Sequence, residues 1–331
     1  MMETLFAPTR ALMRLMLPLT LNPADNEIGA VTPMPTIDDL VPTYAGKRCL
    51  VVGGTRGIGR ATAGVLRRAG AKLTVIGRSA EAPEGIAGDI STVAGALDIA
   101  ERLIKAEHKY SFLCFTVGVW PSRADAYTAD GIHKVLAIDL MSRHVILTRL
   151  ATAGCLEDDV RVMSVLASSQ YIPSTLIDEA KLKAQIAAAS IPDGISGLAS
   201  GFTLMLGTAI ANDAWLQHMA TQLPPRAILM GTFPGFLTSD VASSTFPPWL
   251  MPIIKCAYAP ISDSDEQMGL AHASILATNA VAGKRRVSYW AAPLLQARQA
   301  HPLARDDEFC EWIYSHLEGL VEGRSAESRA G

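Results

Sequence analysis

One doubly wound α/β domain, a parallel sheet between two layers of helices with an N-terminal extension in front of it, is the fold this sequence predicts. Three observations predict it. Short apolar runs recur along the chain with helical stretches between them, the alternation that builds parallel sheets. The first such run ends in a glycine cluster that opens a helix and returns to a second run. The 331 residues are 49% hydrophobic and 18% charged, enough apolar material for a large core and the opposite of a disordered composition.

Charge and cysteine usage narrow the function classes. Lys plus Arg is 29 and Asp plus Glu is 32, a net charge of −3. That balance carries no broad electrostatic footprint for nucleic acid, and none is expected as a partner. The five cysteines are odd in number, scattered and free of any CxxC or Cys/His cluster. No disulfide framework and no metal site are expected, and a reducing, cytoplasmic setting fits.

Residues 1–46 read as the extension. The run from Ala11 to Leu21 is about half a membrane-spanning length and is interrupted by Arg14 and Pro18. A helix packing on the domain is expected there, with a mitochondrial targeting helix as the alternative. Residues 22–46 hold four prolines and several acids and read as an irregular lead-in. The stretch from Gly194 to Ala211 is apolar but rich in small residues. It reads as a buried helix or subunit contact, so no stable membrane span is expected and a homo-oligomer is.

The domain proper is expected over 47–322, followed by a flexible tail over 323–331. Cys49–Val52 has the composition of a strand buried on both faces. Gly53, Gly57 and Gly59 follow at once, then a helix to Ala69 stopped by Gly70, then a second strand from Lys72 to Arg78. This β-α-β unit is about thirty residues long. Its glycines permit a tight turn and a close backbone approach, and the free N–H groups at the helix start suit a pyrophosphate. Thr55, Arg56 and Ile58 lie inside the loop. An acid after the second strand would hold a ribose 2′-hydroxyl, but Arg78 and Ser79 stand there, 19 and 20 residues beyond Gly59. Arg56 and Arg78 together suit a 2′-phosphate, so NADP(H) is the expected cofactor.

Gly53-xxx-Gly57-Ile-Gly59 resembles the TGxxxGIG signature of the short-chain dehydrogenases/reductases, a family with a Rossmann-like fold, with Val52 in place of the leading threonine. Further stretches resemble the family's landmarks in order. Ala87–Ile90 resembles the pair after the third strand, which implies that Asp89 sits beside the adenine. Phe112–Gly118 resembles the fourth strand and its NNAG turn, keeping Gly118 but not the asparagines. Val135–Leu140 resembles the central helix and Asp158–Leu166 the fifth strand. Ala227–Thr238 resembles the sixth strand and a Pro-Gly loop that lines the nicotinamide, which implies contacts from Pro234, Gly235 and Thr238, with Ser239 at the stricter spacing.

The catalytic set departs from the family. None of the seven tyrosines is followed four residues later by lysine, so the family's YxxxK pair is missing. Spacing from the fifth strand places the tyrosine's position near 180–186, where only Lys181 and Lys183 are found, and Ala167 near the usual serine. Asp139 falls where the family's helix asparagine belongs. Without the tyrosine, the candidates for handling a proton at a carbonyl oxygen are Asp139, Ser164, Ser168 and Tyr171.

Other features read as structural. The seven histidines show no HxxxH or HExxH spacing, and there is no GxSxG elbow. Phe246–Pro252 reads as a lid or a core cover. Phe309, Trp312, Ile313, Leu317 and Leu320 repeat at helical spacing and form a docking face. The expected activity is an NADP(H)-dependent oxidoreductase acting on a carbonyl or alcohol of a small, moderately apolar molecule. The alternatives are a redox-inactive dinucleotide-binding protein and a non-redox enzyme, such as a cyclase or isomerase, using the same cleft.

Overall fold

A computed structural model describes residues 21–81, 83–121, 126–168, 177–188, 198–235, 247–258, 263–281 and 285–330. The sheet is built from β1 (Arg48–Val52), β2 (Lys72–Gly77), β3 (Gly85–Ala87), β4 (Tyr110–Phe115), β5 (Leu156–Val165), β6 (Ile228–Phe233), β7 (Val287–Ala291) and β8 (Gln296–Arg298). Its order is β3-β2-β1-β4-β5-β6-β7-β8. Neighbours pair in parallel up to β7, and β8 returns antiparallel to it. The strand order reverses beside β1, the switch point where open α/β sheets bind ligands beyond their strand ends.

The strands are apolar on both faces because each face is covered. Leu50 and Val52 join one core while Cys49 and Val51 join the other, the two-residue alternation of a pleated strand. Leu113 and Phe115 likewise oppose Phe112 and Cys114.

One face packs helices α1 (Ile37–Tyr44), α2 (Gly57–Arg68) and α8 (Asp265–Ala277). The other packs α3 (Val93–Lys105), α4 (134–152), α6 (Leu198–Gln222) and α9 (Asp307–Ala330). Two further helices, α5 (Glu179–Ala187) and α7 (Met251–Tyr258), lie in the connections on either side of β6. In α4, a π turn over Ala137–Met141 joins Lys134–Leu136 to Ser142–Thr152.

Several boundaries differ from the sequence reading. The lead-in is not irregular throughout. Thr36 and Asp39 form a capping box that starts α1, and the Tyr44 hydroxyl donates to the Ala273 carbonyl at 2.6 Å. Before α1 the segment pairs with β8, through bridges Ala24–Arg298 and Ala30–Gln296. The tail expected from 323 instead continues α9 to Ala330, since nothing in it breaks a helix as proline would. The docking face of α9 is buried at Phe309, Ile313 and Leu317, which share a core with Trp215, Leu216 and Met219 of α6. The small-residue run is thus a helix buried within the chain from 203 onward; residues 189–197 lie outside the described residues. Among the described residues, no helix is long and apolar enough to cross a membrane.

Candidate active site

The glycine loop leaves β1 and enters α2 in the conformation its sequence implies. Gly53 has φ +91° and Gly57 φ +52°, both in the left-handed region that favours glycine. A Cβ on Gly59 would lie 2.3 Å from the Gly53 carbonyl oxygen and 2.4 Å from Thr116 Oγ1, so the loop closes to backbone contact there. The Gly53 N–H is anchored by the Ile76 carbonyl at 2.8 Å, and Thr116 Oγ1 donates to Val52 O at 3.0 Å.

Arg56 occupies the N-cap of α2, and its side chain makes no capping hydrogen bond. The N-cap residue therefore supplies no acceptor to the first-turn N–H groups, and such groups at a helix start can receive a phosphate. Replacing Gly59 by alanine is expected to cost about 1 to 3 kcal/mol through overpacking. Denaturant unfolding with and without a dinucleotide checks this. Loss of nucleotide affinity should accompany the loss of stability, and an unchanged midpoint would contradict the contact.

The other residues expected at the dinucleotide lie on several elements of the fold. Thr55 packs over β2, since a Cβ on Gly77 would meet its methyl at 2.6 Å. Ile58 is half-buried, while Arg56, Arg78 and Ser79 are exposed. Asp89 is exposed just after β3, and its Oδ1 accepts the Ser91 N–H at 2.9 Å. Asp265, at the start of α8, also approaches the loop, with Oδ2 3.9 Å from where a Gly57 Cβ would stand. Pro234 and Gly235 follow β6, where Gly235 has φ +76° and room for a Cβ is closed by Pro293 Cγ at 2.4 Å. Thr238 and Ser239 lie outside the described residues, as does Tyr171.

Beneath the ends of β4 and β5 lies a buried polar network that the sequence reading only partly named. Asp139 sits in the π turn at 1% exposure, and its Oδ1 accepts the Val119 N–H at 2.9 Å. It lies directly behind the Gly118 turn: a Cβ there would be 3.9 Å from the same oxygen. Burial pushes its carboxyl up to about 7, against the pull of the Arg143 guanidinium and the Val119 N–H.

Arg143 is fully buried; burial pushes it down to about 10, so it stays protonated at neutral pH. Its guanidinium donates to Ser164 Oγ and Val117 O, and to Val165 O at 3.0 Å, tying the ends of β4 and β5 together. Ser164 Oγ then donates to Asn212 Oδ1 on α6 at 2.6 Å. Ser164 is therefore committed to the network rather than turned toward a cleft.

Ser168 is also fully buried, but its Oγ has no partner among the described residues. It stands 2.7 Å from where a Gly231 Cβ would be, with Asp213 Oδ1 3.0 Å from that point. Thr208 Oγ1 and Thr232 Oγ1 are likewise buried without partners among the described residues.

The helix carrying the YxxxK pair was expected at 180–186. The described helix there, α5, is short, and its Lys183 is drawn off to Glu179 at 2.6 Å and lies over the rings of Phe309 and Trp312. The helix that follows β5 and packs along β6 is α6, whose sequence contains neither tyrosine nor lysine. Arg143 and Asn212 were missed altogether. The available signal was an arginine with apolar residues three positions before it, at Leu140, and three and four positions after it, at Ile146 and Leu147.

No protein-family model matches the chain. Among curated proteins, it is 29% identical over 141 residues to a rhamnolipid-biosynthesis 3-oxoacyl-[acyl-carrier-protein] reductase of Pseudomonas aeruginosa, covering 37% of this chain and 55% of that protein. It is 28% identical over 121 residues to an uncharacterized oxidoreductase of Saccharomyces cerevisiae, covering 33% and 39%. A Bos taurus dehydrogenase/reductase, named SDR family member 12, matches at 25% over 157 residues, covering 43% and 49%. The matches thus span about half the length of these relatives or less.

Among solved structures, a short chain dehydrogenase of Salmonella enterica superposes with TM-score 0.52 at 15% identity, covering 78% of this chain and 98% of that one. A Burkholderia cenocepacia short chain dehydrogenase in complex with NADP gives 0.52 at 19%, covering 75% and 98%.

Proposed function

We propose that this chain, which has the fold of the short-chain dehydrogenases/reductases and resembles them in sequence, is an NADP(H)-dependent oxidoreductase acting on a carbonyl or alcohol of a small, moderately apolar molecule. The observation that carries the reading is the glycine cradle: Gly59 closed onto the Gly53 carbonyl, with the first turn of α2 lacking a side-chain cap. A pyrophosphate suits this cradle, because N–H groups at a helix start can donate to it. The exposed Arg56 and Arg78 flank the cradle and suit a 2′-phosphate. The structural neighbour crystallised with NADP supports the same choice.

When bound, the cofactor supplies the hydride; the chain must bind, orient and manage a proton. Asp139 is the residue placed for the last task. Its Oδ1 is held by Val119 N–H, which leaves Oδ2 to carry a proton near pH 7 directly behind Gly118. Ser168, buried and with no hydroxyl partner among the described residues, is the group that would orient the substrate oxygen. Arg143 and Ser164 act as positioning residues, since they fix the ends of β4 and β5 on which the cleft rests.

Arg78→Asp is expected to weaken NADPH binding by on the order of 2 to 4 kcal/mol while leaving NADH nearly unchanged. Fluorescence titration of both cofactors measures it. Equal affinities for NADPH and NADH in the unaltered protein would overturn the cofactor assignment. One observation favours a second reading, a redox-inactive dinucleotide-binding protein: α6 has no tyrosine or lysine. Tight NADPH binding with no single-turnover hydride transfer across a broad carbonyl panel would decide for it.

A further inference from the structure

A cavity of about 700 Å³ opens at the other end of the sheet, where β7 begins and β8 ends against the N-terminal segment. Because β7 runs parallel to β1, its first residues lie at the opposite end of the sheet from the glycine loop. The charge in its walls is one-sided: Arg285, Arg286, Arg298 and Arg305 against Asp25 and Glu27. Both acids face the same arginine: Arg285 meets Asp25 at 2.8 Å and also pairs with Glu27.

The other three guanidinium groups are fixed by neutral oxygens. Arg286 Nη2 donates to Pro224 O at 2.6 Å and Leu223 O at 3.1 Å. Arg305 Nη2 donates to Ala300 O at 2.8 Å and Gln299 Oε1 at 3.2 Å. Arg298 is 4% exposed; it donates to Gln296 Oε1 at 2.8 Å and weakly to Asn22 O at 3.4 Å. Its Nε is buried and has no partner among the described residues. Hydrogen bonds to carbonyls hold these forks in place but do not neutralise them. A buried guanidinium without a counter-anion bears a desolvation cost that folds avoid unless something else supplies the charge.

We propose that this cavity binds a small organic polyanion bearing carboxylate or phosphate groups, with Arg298, Arg305 and Arg286 as its anchors. Planar guanidinium forks held in fixed positions match such groups in paired hydrogen bonds. The volume admits a ligand of metabolite size. The site is independent of the dinucleotide reading, because it shares no residue with the glycine loop.

Arginine-detected NMR on the full chain tests it, with citrate and inorganic pyrophosphate as probes and trimethyl citrate as the uncharged control. The Arg298 Nε–H signal, assigned by its loss in Arg298→Gln, should shift saturably with the two anions and not with the control. Arg305→Gln removes an exposed side chain, so it should fold normally and weaken binding at least tenfold. A saturable shift at Arg298 that Arg305→Gln weakens supports the site. No shift at Arg298, binding unaltered in Arg305→Gln, or shifts confined to Arg56 and Arg78 would overturn it.

Discussion

Replacing Arg143 by methionine is expected to lower the stability of the fold by about 3 to 5 kcal/mol, the cost of removing one member of a buried charged network. The guanidinium is wholly inaccessible and bonds to Ser164, Val117 O and Val165 O. Methionine fills similar space but donates nothing, so acceptors at the ends of two central strands lose their partner. Asp139 also loses the cation that favours its ionised form, and its carboxyl should move above 7. Arg143→Lys should fall between the two, because an ammonium cannot reach both strands as a fork does. Equilibrium unfolding in urea reads all three proteins. Coincident midpoints for Arg143→Met and the unaltered chain would show that the network does not bear on stability.

Asp139→Asn should change both activity and the pH dependence of stability. The carboxyl titrates near 7 in the fold against an ordinary 3.8, so between those values the folded chain holds a proton that the unfolded chain releases. Its contribution is therefore fully present below about pH 4 and is lost as pH rises to 7. The total is on the order of 4 kcal/mol. Asparagine cannot ionise and keeps an oxygen for Val119 N–H, so the variant should lose this slope and be the more stable protein at pH 8. Single-turnover hydride transfer from 4-deuterated NADPH should fall about 10²- to 10⁴-fold in the variant. In the unaltered protein the transfer should decline above pH 7, as the proton leaves. A flattened stability profile with undiminished transfer would leave Asp139 a structural role only.

The parts of the molecule governed by local rules were legible in the sequence. The glycine loop, the alternating strands and the apolar stripe of α9 each follow from backbone freedom or periodicity within a few residues. The candidate site was less so. Asp139 was found by its place in a helix, but nothing local showed that Ser164 would be consumed by Arg143 and Asn212, which lie 21 residues before it and 48 after it. Likewise, spacing alone put the missing tyrosine and lysine in α5, whereas the helix running along β6 is α6. Connection length is set by tertiary packing, so a count across a long connection carries little information. The helix α1 was overlooked because its interior Pro42 and the prolines before it read as loop, although the Thr36–Asp39 box was there to be seen.

The pairing of the N-terminal segment with β8 bears on how this edge of the sheet is covered. An antiparallel terminal strand presents a row of unused amide and carbonyl groups, a template onto which another chain can add. Here Asp25 and Val31 donate to Ala297 and Leu295, and Ala297 and Gln299 donate back to Gly29 and Pro23, so much of that row is already taken. The segment thus serves as a guard strand against edge-to-edge aggregation. Residues 22–31 therefore protect this margin in addition to the packing that α1 supplies.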